Sequence, residues 1–306
     1  MRTLGIDTSN YTTSAALFDG ARVLQKKQAL PVKPGTLGLR QSDALFHHTA
    51  QLPALLEELL REAASCGMGD IHAVGVSDRP RAAEGSYMPC FLAGVSAARG
   101  IAAALRVPLK MVSHQQGHLA AALFSARRLD LLTGGFLAVH ASGGTTEVLH
   151  VGPNLRTACI CGAADLKAGQ LLDRAGVLLG YDFPAGAALD RLARGGTLTR
   201  KVNVRADDAG YHLSGVENQC GRMLEQGMAR EDIARFCVES VAAALLGMMD
   251  RAADQCGNLP LLCAGGVCCS ELIRARTREK YPDAMFAEPA FSADNAAGAA
   301  ILAFIK

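Results

Sequence analysis

The sequence predicts an α/β protein of two lobes with a duplicated topology and a ligand site in the cleft between them. Two segments share one plan, in which a strand, a turn rich in hydroxyls or glycine, and a second strand follow one another; they begin at Thr3 and at Phe136. The length of 306 residues also fits two domains of about 150 residues each. Because such a plan repeated about half a chain apart indicates an internal duplication, we expect lobes at residues 1–134 and 135–306.

The amino-acid composition favours a globular protein over a membrane or disulfide-rich secreted one. Half of the residues are hydrophobic, 20% are charged, and the net charge of +2 provides no broad electrostatic attraction for nucleic acid. The chain has no run of 18 apolar residues and no secretory pattern at its start, so we expect a cytoplasmic protein without membrane contact. Its ten cysteines are irregularly spaced, which fits small buried side chains in a reducing compartment.

The first predicted hairpin places polar residues at its turn. A strand from Thr3 leads into Asp7, Thr8 and Ser9, and a second strand ends at Phe18. Hydroxyls and backbone N–H groups beside a carboxylate can hold a phosphate and orient a hydrated cation. These three residues are therefore candidate site residues, with Asp7 as a candidate catalytic group. An ordinary hairpin turn is the alternative.

The next residues predict, in order, a helix at 43–65, a strand at 71–77, a helix within 87–105 and a strand at 108–112. His47 and His48, near the start of the first helix, are expected at the surface or as capping residues. Arg79 and Arg81 follow the strand in a loop that either clamps a phosphate or carboxylate or lies in solvent.

The segment His114–His118 is the strongest chemical signal in the chain. Residues four apart on a helix share one face, so both imidazoles can converge on one cation. Gly117 leaves room for a close approach. No Glu stands beside His114 to act as a general base, which argues against a metallopeptidase. The alternative is that one histidine caps the helix while the other packs against it.

The second hairpin carries another group of candidates. His140 lies at the end of its first strand and is a candidate metal ligand, with a buried core histidine as the alternative. The turn that follows contains Ser142, Gly143, Gly144 and Thr145, and its hydroxyls and backbone N–H groups suit a phosphate.

The remaining candidates follow three further elements. A helix at 168–179 carries Asp173 and is followed by a turn that ends at Gly186, which we expect close to a ligand. Residues 195–222 show no clear pattern, whereas 231–254 predicts a helix.

Near the C-terminus, a strand enters Gly265 and Gly266, and Ser270 begins the next helix, an arrangement that lets backbone approach a nucleotide. Asp294 begins the last predicted helix, either as its N-cap or as a hard oxygen ligand for a metal.

These segments, in this order, resemble the TsaD-like proteins, formerly called glycoproteases. The residues that carry the resemblance are Gly5–Ser9, His114 with His118, Ser142–Gly144, Gly169 with Asp173, Pro184 with Gly186, Gly265–Val267, and Asp294 with Asn295. The resemblance covers nearly the whole chain. It implies the actin-like ATPase fold, with a nucleotide in the cleft between the lobes and a metal near its phosphates.

The resemblance also implies an activity, because TsaD-like proteins transfer a threonylcarbamoyl group from its adenylate to the tRNA adenosine next to the anticodon. The implied metal ligands for one divalent ion, iron or zinc, are His114, His118 and Asp294, and His140 stands where some relatives have a metal-binding tyrosine. The positions matching contacts to ATP, AMP or the acyl-adenylate are Ser142, Gly143, Gly144, Asp173, Gly186 and Gly265. Implied partners are tRNA held with other proteins, and a TsaB-like protein or a second copy of the chain.

The chain departs from the family pattern on the substrate side. The differing positions are 10–12, 79–81, Thr145, Lys167 and Ser270, whereas the metal set is kept. Two hypotheses follow: a metal-dependent carbamoyl transferase in tRNA adenosine modification, or a non-catalytic, regulatory nucleotide-binding paralogue that scaffolds a modification complex. A sugar-kinase-like enzyme would share the fold but does not explain the histidine pair, and a metallopeptidase is the least favoured.

Overall fold

The computed structural model describes residues 1–9, 11–31, 39–292 and 294–305. Asn10, part of the first predicted turn, lies outside these ranges. The chain forms two compact units, one of Met1–Leu129 with Ala293–Lys306 and one of Asp130–Ser292. Among the described residues, no helix is both long and apolar enough to span a membrane.

Twelve strands and ten α-helices follow one another along the described residues. The strands are β1 Thr3–Asp7, β2 Thr12–Phe18, β3 Val23–Ala29, β4 Ala73–Arg79, β5 Leu109–Ser113, β6 Phe136–Ala141, β7 Thr146–Gly152, β8 Arg156–Gly162, β9 Arg205–Asp207, β10 Gly210–His212, β11 Leu261–Ala264 and β12 Met285–Phe286. The helices are α1 Gln41–Ser65, α2 Phe91–Leu105, α3 His114–Ser125, α4 Ala168–Leu178, α5 Gly186–Arg194, α6 Ser214–Glu225, α7 Arg230–Cys256, α8 Glu271–Lys280, α9 Pro289–Ser292 and α10 Ala297–Phe304.

The first unit is built on a five-stranded sheet in the order β3-β2-β1-β4-β5. β1 pairs antiparallel with β2, and β2 pairs antiparallel with β3. On its other side β1 pairs parallel with β4, which pairs parallel with β5. The predicted strand, turn and strand at the N-terminus are confirmed, and their turn lies at the end of the central strand.

The second unit repeats this arrangement. Its five-stranded sheet has the order β8-β7-β6-β11-β12, with antiparallel pairs among β6, β7 and β8 and parallel pairs from β6 through β11 to β12. β6 therefore corresponds to β1, and the turn after each leads into an antiparallel partner. The predicted duplication of topology is confirmed. The segment 195–222, which showed no sequence pattern, contains the small hairpin of β9 and β10 and the start of α6.

The C-terminal segment belongs to the first unit, whereas the predicted division at residues 134 and 135 placed it with the second lobe. Helix α10 lies directly against the first sheet, and glycines make this possible. A Cβ added at Gly5 would clash with the carbonyl oxygen of Ala296, and one at Gly75 would clash with that of Ala299. These contacts join residues 291 and 224 positions apart, which no local pattern reveals.

Helix α10 also crosses α3 at a close backbone approach. A Cβ at Gly298 would clash with the carbonyl oxygen of Gly117, whereas a Cβ at Gly117 would have no neighbour nearer than 3.9 Å. The close approach predicted at Gly117 is thus present, but the residue that must lack a side chain is Gly298. This crossing brings the N-terminal end of α10 towards the histidines of α3.

One side-chain prediction in α1 is wrong. His48 is fully buried, and its Nδ1 lies 2.8 Å from the hydroxyl oxygen of Thr13 on β2. The residue lies four and seven positions before Leu52 and Leu55, both buried, so helical periodicity places it on the core face rather than at the surface.

Candidate metal centre

Helix α3 begins in a way that sets both histidines on one face. Ser113 caps the helix, because its hydroxyl accepts the N–H of Gln116 at 3.2 Å and its own N–H donates to Oε1 of Gln116 at 3.0 Å. This reciprocal pair is a capping box, and it makes His114 the first helical residue. His118 follows one turn later on the same face. A serine rather than a histidine caps the helix, so the alternative of a capping histidine does not hold.

Three candidate ligand atoms converge beside α3, and the residues that carry them, His114, His118 and Asp294, are named the metal group. Nε2 of His114 and Nε2 of His118 are 2.9 Å apart, and Oδ1 of Asp294 lies 3.5 Å and 3.3 Å from them respectively. In the described part of the chain, this is the one group of at least three histidine, cysteine or acidic residues with ligand atoms close enough to hold a metal ion.

The three atoms fit a metal ion in size and in chemistry. Their separations define a triangle whose corners lie about 1.9 Å from a common centre, close to the lengths of about 2.0–2.1 Å for zinc and nitrogen. Two imidazoles and one carboxylate on one side of an ion are a known ligand set for iron and for zinc, with other positions left for substrate. The three side chains keep 10–23% of their surface exposed, so the group is not sealed.

Asp294 reaches the histidines because it precedes the last helix instead of capping it. Helix α10 begins three residues later, at Ala297, and Oδ1 of Asn295 accepts the N–H of Ala297 at 3.1 Å. The N-cap alternative for Asp294 therefore does not hold. Its carboxylate contacts the two histidines, 176 and 180 positions away in the sequence.

Asp7 lies behind His114 and is 1% exposed. Its Oδ2 is 2.9 Å from Nδ1 of His114, the ring nitrogen that faces away from the ligand triangle. Its Oδ1 accepts hydrogen bonds from the N–H of Ser9, at 2.9 Å, and from the Ser9 hydroxyl. Both carboxylate oxygens are thus engaged inside the first unit. Asp7 was predicted as a catalytic group, and its contacts connect it to His114, a candidate metal ligand.

The electrostatics of the group favour a positive charge at His114. Burial by itself would lower the pKa of His114, but the negative charges of Asp7 and Asp294 and their hydrogen bonds raise it to about 10. Burial would raise the pKa values of Asp7 and Asp294, yet both lie below the ordinary range. His114, with the Ser9 hydroxyl, lowers the pKa of Asp7, and His114 and His118 lower that of Asp294. Two ionised carboxylates therefore flank one imidazole, a setting that stabilises either a proton or a metal ion on its Nε2.

Thr8, a predicted nucleotide-binding residue, uses its hydroxyl within the fold. The side chain is fully buried, its Oγ1 donates to the carbonyl oxygen of Cys90 at 3.0 Å, and the same oxygen accepts the N–H of Gly94 at 3.1 Å. These bonds tie the end of β1 to the start of α2. The hydroxyl of Ser9, the other predicted residue, lies 3.5 Å from Nε2 of His114 and so borders the metal group.

In the second unit, the predicted phosphate turn is an ordered structure held by Ser142. The Ser142 hydroxyl accepts the N–H groups of Gly144, at 3.3 Å, and Thr145, at 3.1 Å, while Gly143 and Gly144 are exposed. The N–H of Gly169, in the first turn of α4, donates to the Ser142 carbonyl at 3.1 Å. A Cβ at Gly169 would lie 2.5 Å from the backbone nitrogen of Gly143, which explains the glycine there.

Asp173 and Gly186, predicted near a nucleotide, contact each other. Oδ1 of Asp173 accepts the N–H groups of Ala185 and Gly186, both at 2.9 Å, and so holds the start of α5. Among the described residues, its Oδ2 has no hydrogen-bond partner. A role of this oxygen in binding ribose stays a prediction.

The glycines and the serine after β11 have structural roles of their own. Gly265 has a φ of +95°, and a Cβ there would clash with the carbonyl oxygen of Ala141 at the end of β6. Gly266 is exposed. Ser270 is the N-cap of α8, because its hydroxyl accepts the N–H of Ile273 at 3.2 Å and donates to Asp190. Contacts of these residues to a nucleotide stay predictions.

His140 lies in the second unit, one residue before the end of β6 and opposite Glu147 of β7. Its role as a fourth metal ligand remains untested.

Two features that surround the metal group were not predicted from the sequence. The Ser113 cap has a sequence signal, a serine three residues before a glutamine. The contact between Asp7 and His114 has none, because 107 positions separate them.

Comparison with known proteins adds a family and a fold. The family model for tRNA N6-adenosine threonylcarbamoyltransferase (TsaD) matches residues 26–301. A protein of that name from Methanopyrus kandleri is 30% identical over 300 residues, which cover 96% of this chain and 84% of the relative.

Two solved structures are similar over almost their full lengths. Component A of (R)-2-hydroxyglutaryl-CoA dehydratase from Acidaminococcus fermentans has a TM-score of 0.59 at 18% identity, with 99% of this chain and 98% of that chain covered. A ROK family glucokinase from Streptomyces griseus, solved with glucose and AMPPNP, has a TM-score of 0.55 at 14% identity, with both chains covered completely. At these identities the likeness concerns the fold alone, and it confirms the predicted actin-like ATPase fold.

Proposed function

The chain belongs to the tRNA N6-adenosine threonylcarbamoyltransferase family, and from this premise we propose that it transfers a threonylcarbamoyl group from its adenylate to the N6 amine of a tRNA adenosine. The observation that carries the proposal is the convergence of His114, His118 and Asp294, within one unit, on a point that suits a metal ion. Family membership makes the chain a transferase, and the absence of a Glu beside His114 agrees that it is not a protease of the zinc-helix type.

The proposed step forms one bond and breaks one. The N6 amine attacks the carbamoyl carbonyl carbon, the bond from that carbon to the phosphate oxygen breaks, and AMP leaves with the electron pair. The amine loses a proton to solvent or to a base. A good leaving group removes the need for a strong nucleophile, so the protein's task is to position the two substrates and to stabilise developing charge.

The residues of the two units have separate proposed roles. A divalent ion, iron or zinc, held by His114, His118 and Asp294 would supply a Lewis acid for the carbonyl or phosphate oxygen. His140 is proposed as a further ligand. The turn from Ser142 to Thr145 would bind phosphate through the N–H of exposed Gly143, because the N–H groups of Gly144 and Thr145 already donate to the Ser142 hydroxyl.

Other residues would recognise the rest of the adenylate or of ATP or AMP. Oδ2 of Asp173 would accept hydrogen bonds from ribose hydroxyls. The exposed backbone at Gly266, with neighbouring Gly265, would lie against the nucleoside, as would Gly186.

We expect partner proteins to help this chain bind its proposed tRNA substrate. The net charge of +2 is small for a protein that must hold a polyanion alone, since phosphate contacts supply most of the affinity for nucleic acid. We propose that a TsaB-like protein or a second copy of this chain completes the tRNA-binding surface.

A transfer assay on metal-loaded protein tests the proposal. Purified chain, with candidate partner proteins, is incubated with threonylcarbamoyl-adenylate and tRNA, and modified adenosine is measured by mass spectrometry of nucleosides. We expect the double variant His114→Ala with His118→Ala to lose bound iron or zinc and to lose at least 100-fold in transfer rate. His47→Ala, a partly exposed histidine on α1, is the matched control and should retain both.

The same assay distinguishes the transferase from the competing hypothesis of a non-catalytic, nucleotide-binding scaffold. Tight binding of ATP or AMP together with no transfer by metal-loaded wild-type protein would refute the transferase and leave a nucleotide-binding subunit. Equal transfer by the wild type and by the double variant would refute the role of the metal group.

A further inference from the structure

The hydrogen bond between Asp7 and His114 links a buried carboxylate to a proposed metal ligand, although Asp7 itself is not one of the ligands. An imidazole that binds a metal through Nε2 must carry its proton on Nδ1, and the partner of Nδ1 decides which form is present. Here that partner is a carboxylate oxygen at 2.9 Å, buried beneath the ring. Its negative charge also makes Nε2 more basic, and therefore a better metal ligand.

Asp7 is itself held in place from two directions. The N–H and the hydroxyl of Ser9 both donate to Oδ1, which leaves Oδ2 directed at His114. Its backbone carbonyl accepts the hydroxyl of Ser14 at 3.2 Å, across the β1–β2 pair. The carboxylate thus has one orientation, and with 1% of its surface exposed it is shielded from competition by water.

We propose that Asp7 is a positioning residue, which selects the Nδ1–H form of His114 and fixes the plane of its ring so that Nε2 faces His118 and Asp294. This inference rests on the proposed metal site and explains why a carboxylate is present at the end of β1. It replaces the expectation that Asp7 acts on a substrate, because the carboxylate oxygens are occupied by His114 and Ser9.

The test measures metal affinity without any substrate. Zinc affinity of the full chain is determined by competition with a chromophoric chelator, and the visible spectrum of the cobalt-loaded protein reports ligand geometry. Loss of a carboxylate partner from a metal-binding histidine typically weakens metal affinity by about 10–100-fold. We expect a loss in this range for Asp7→Ala, together with a changed cobalt spectrum. Asp7→Asn should recover part of the loss, since its amide oxygen can still accept the Nδ1–H but carries no charge.

Thr13→Val serves as the matched control for a buried polar side chain lost from the same unit. Thr13 is fully buried on β2, and its hydroxyl bonds to His48 and Gln51 rather than to the metal group. It should bind zinc as the wild type does, and circular dichroism should show that all variants are folded.

Three outcomes would overturn the inference. Asp7→Ala could bind zinc within about threefold of the wild type with an unchanged cobalt spectrum, Thr13→Val could lose as much affinity as Asp7→Ala, or the wild type could bind neither metal. If Asp7→Ala fails to fold, Asp7→Asn decides through the cobalt spectrum and through the 15N shifts of the His114 ring, which should show Nδ1 protonated in the zinc-bound wild type. Because the readouts need no tRNA, a failure of the transferase proposal leaves these results interpretable.

Discussion

His114 makes different contacts through its two ring nitrogens. Nδ1 faces the buried carboxylate of Asp7, and Nε2 faces His118 and Asp294. With a pKa raised to about 10, the imidazole carries protons on both nitrogens at neutral pH. A metal ion at Nε2 must displace one of them, whereas the proton shared with Asp7 stays.

This competition predicts how metal affinity depends on pH. Below pH 10, His114 is mainly protonated, so each bound zinc ion releases a proton from Nε2 and the apparent affinity rises with pH. Between pH 6 and pH 8 the expected rise is on the order of tenfold per pH unit. Chelator competition at several pH values measures the slope, and calorimetry in buffers of different ionisation enthalpy counts the protons.

Asp294→Asn provides a comparison for the pH dependence. It removes one ligand and one of the negative charges that raise the pKa of His114, so its metal affinity should be weaker and should stop rising at a lower pH than that of the wild type. A zinc affinity of the wild type that is constant from pH 6 to pH 8, with no proton released, would contradict the interpretation.

At the scale of elements, the crossing of α3 and α10 decides whether the three ligands meet. The two helices approach so closely that the carbonyl oxygen of Gly117 fills the space of a Cβ at Gly298. Asp294 lies four residues before Gly298, and its position follows from where α10 is held. We therefore expect a change at Gly298 to affect the metal group, although this glycine contributes no ligand.

Two glycine substitutions at this crossing should have opposite outcomes. Gly298→Ala places a methyl group against backbone that cannot move freely, and we expect a loss of about 1–3 kcal/mol in the free energy of unfolding together with weaker zinc binding. Gly117→Ala is the matched control, because its Cβ would have no neighbour nearer than 3.9 Å and alanine favours a helix by up to about 1 kcal/mol. Urea denaturation of both variants measures the difference, and equal destabilisation would refute this account of the crossing.

At the scale of the whole molecule, the two units have the same sheet order but different chain continuity. The second unit is one continuous stretch, Asp130–Ser292, with its own large core. The first unit is divided, since α10 returns to cover β1 and β4 from the far end of the chain. We therefore expect its folding to require the C-terminal segment as well as residues 1–129.

Fragments of the chain test this difference in continuity. Residues 130–292 alone should unfold cooperatively in urea, because their core is complete. Residues 1–129 alone should lack a cooperative transition, since α10 and its buried alanines are missing. Joining 1–129 to 293–306 through a long flexible linker should restore the transition. Cooperative unfolding of 1–129 by itself would contradict the prediction.

Elements whose signal is local could be predicted from the sequence. The helices predicted at 43–65, 168–179 and 231–254 correspond to α1, α4 and α7. They could be predicted because apolar residues recur at helical spacing in neighbouring turns. The repeated pattern of strand, turn and strand likewise predicted the β1–β2 and β6–β7 pairs, one in each five-stranded sheet. The weakly patterned β9 and β10, of three residues each, are too short to show alternation.

The sequence by itself determined the pairing of His114 with His118, the polar turns at the ends of β1 and β6, and the family, since each depends on residues close together or in a fixed order. The tertiary structure alone decided that Asp7 contacts His114, that His48 is buried and that Gly298 permits the helix crossing. It also places Asp294, which the family resemblance implies as a ligand, within 3.5 Å of both histidines. The physical reason is separation along the chain: these contacts arise when sheet pairing and packing bring distant segments together, and local backbone preferences carry no information about which segments will meet.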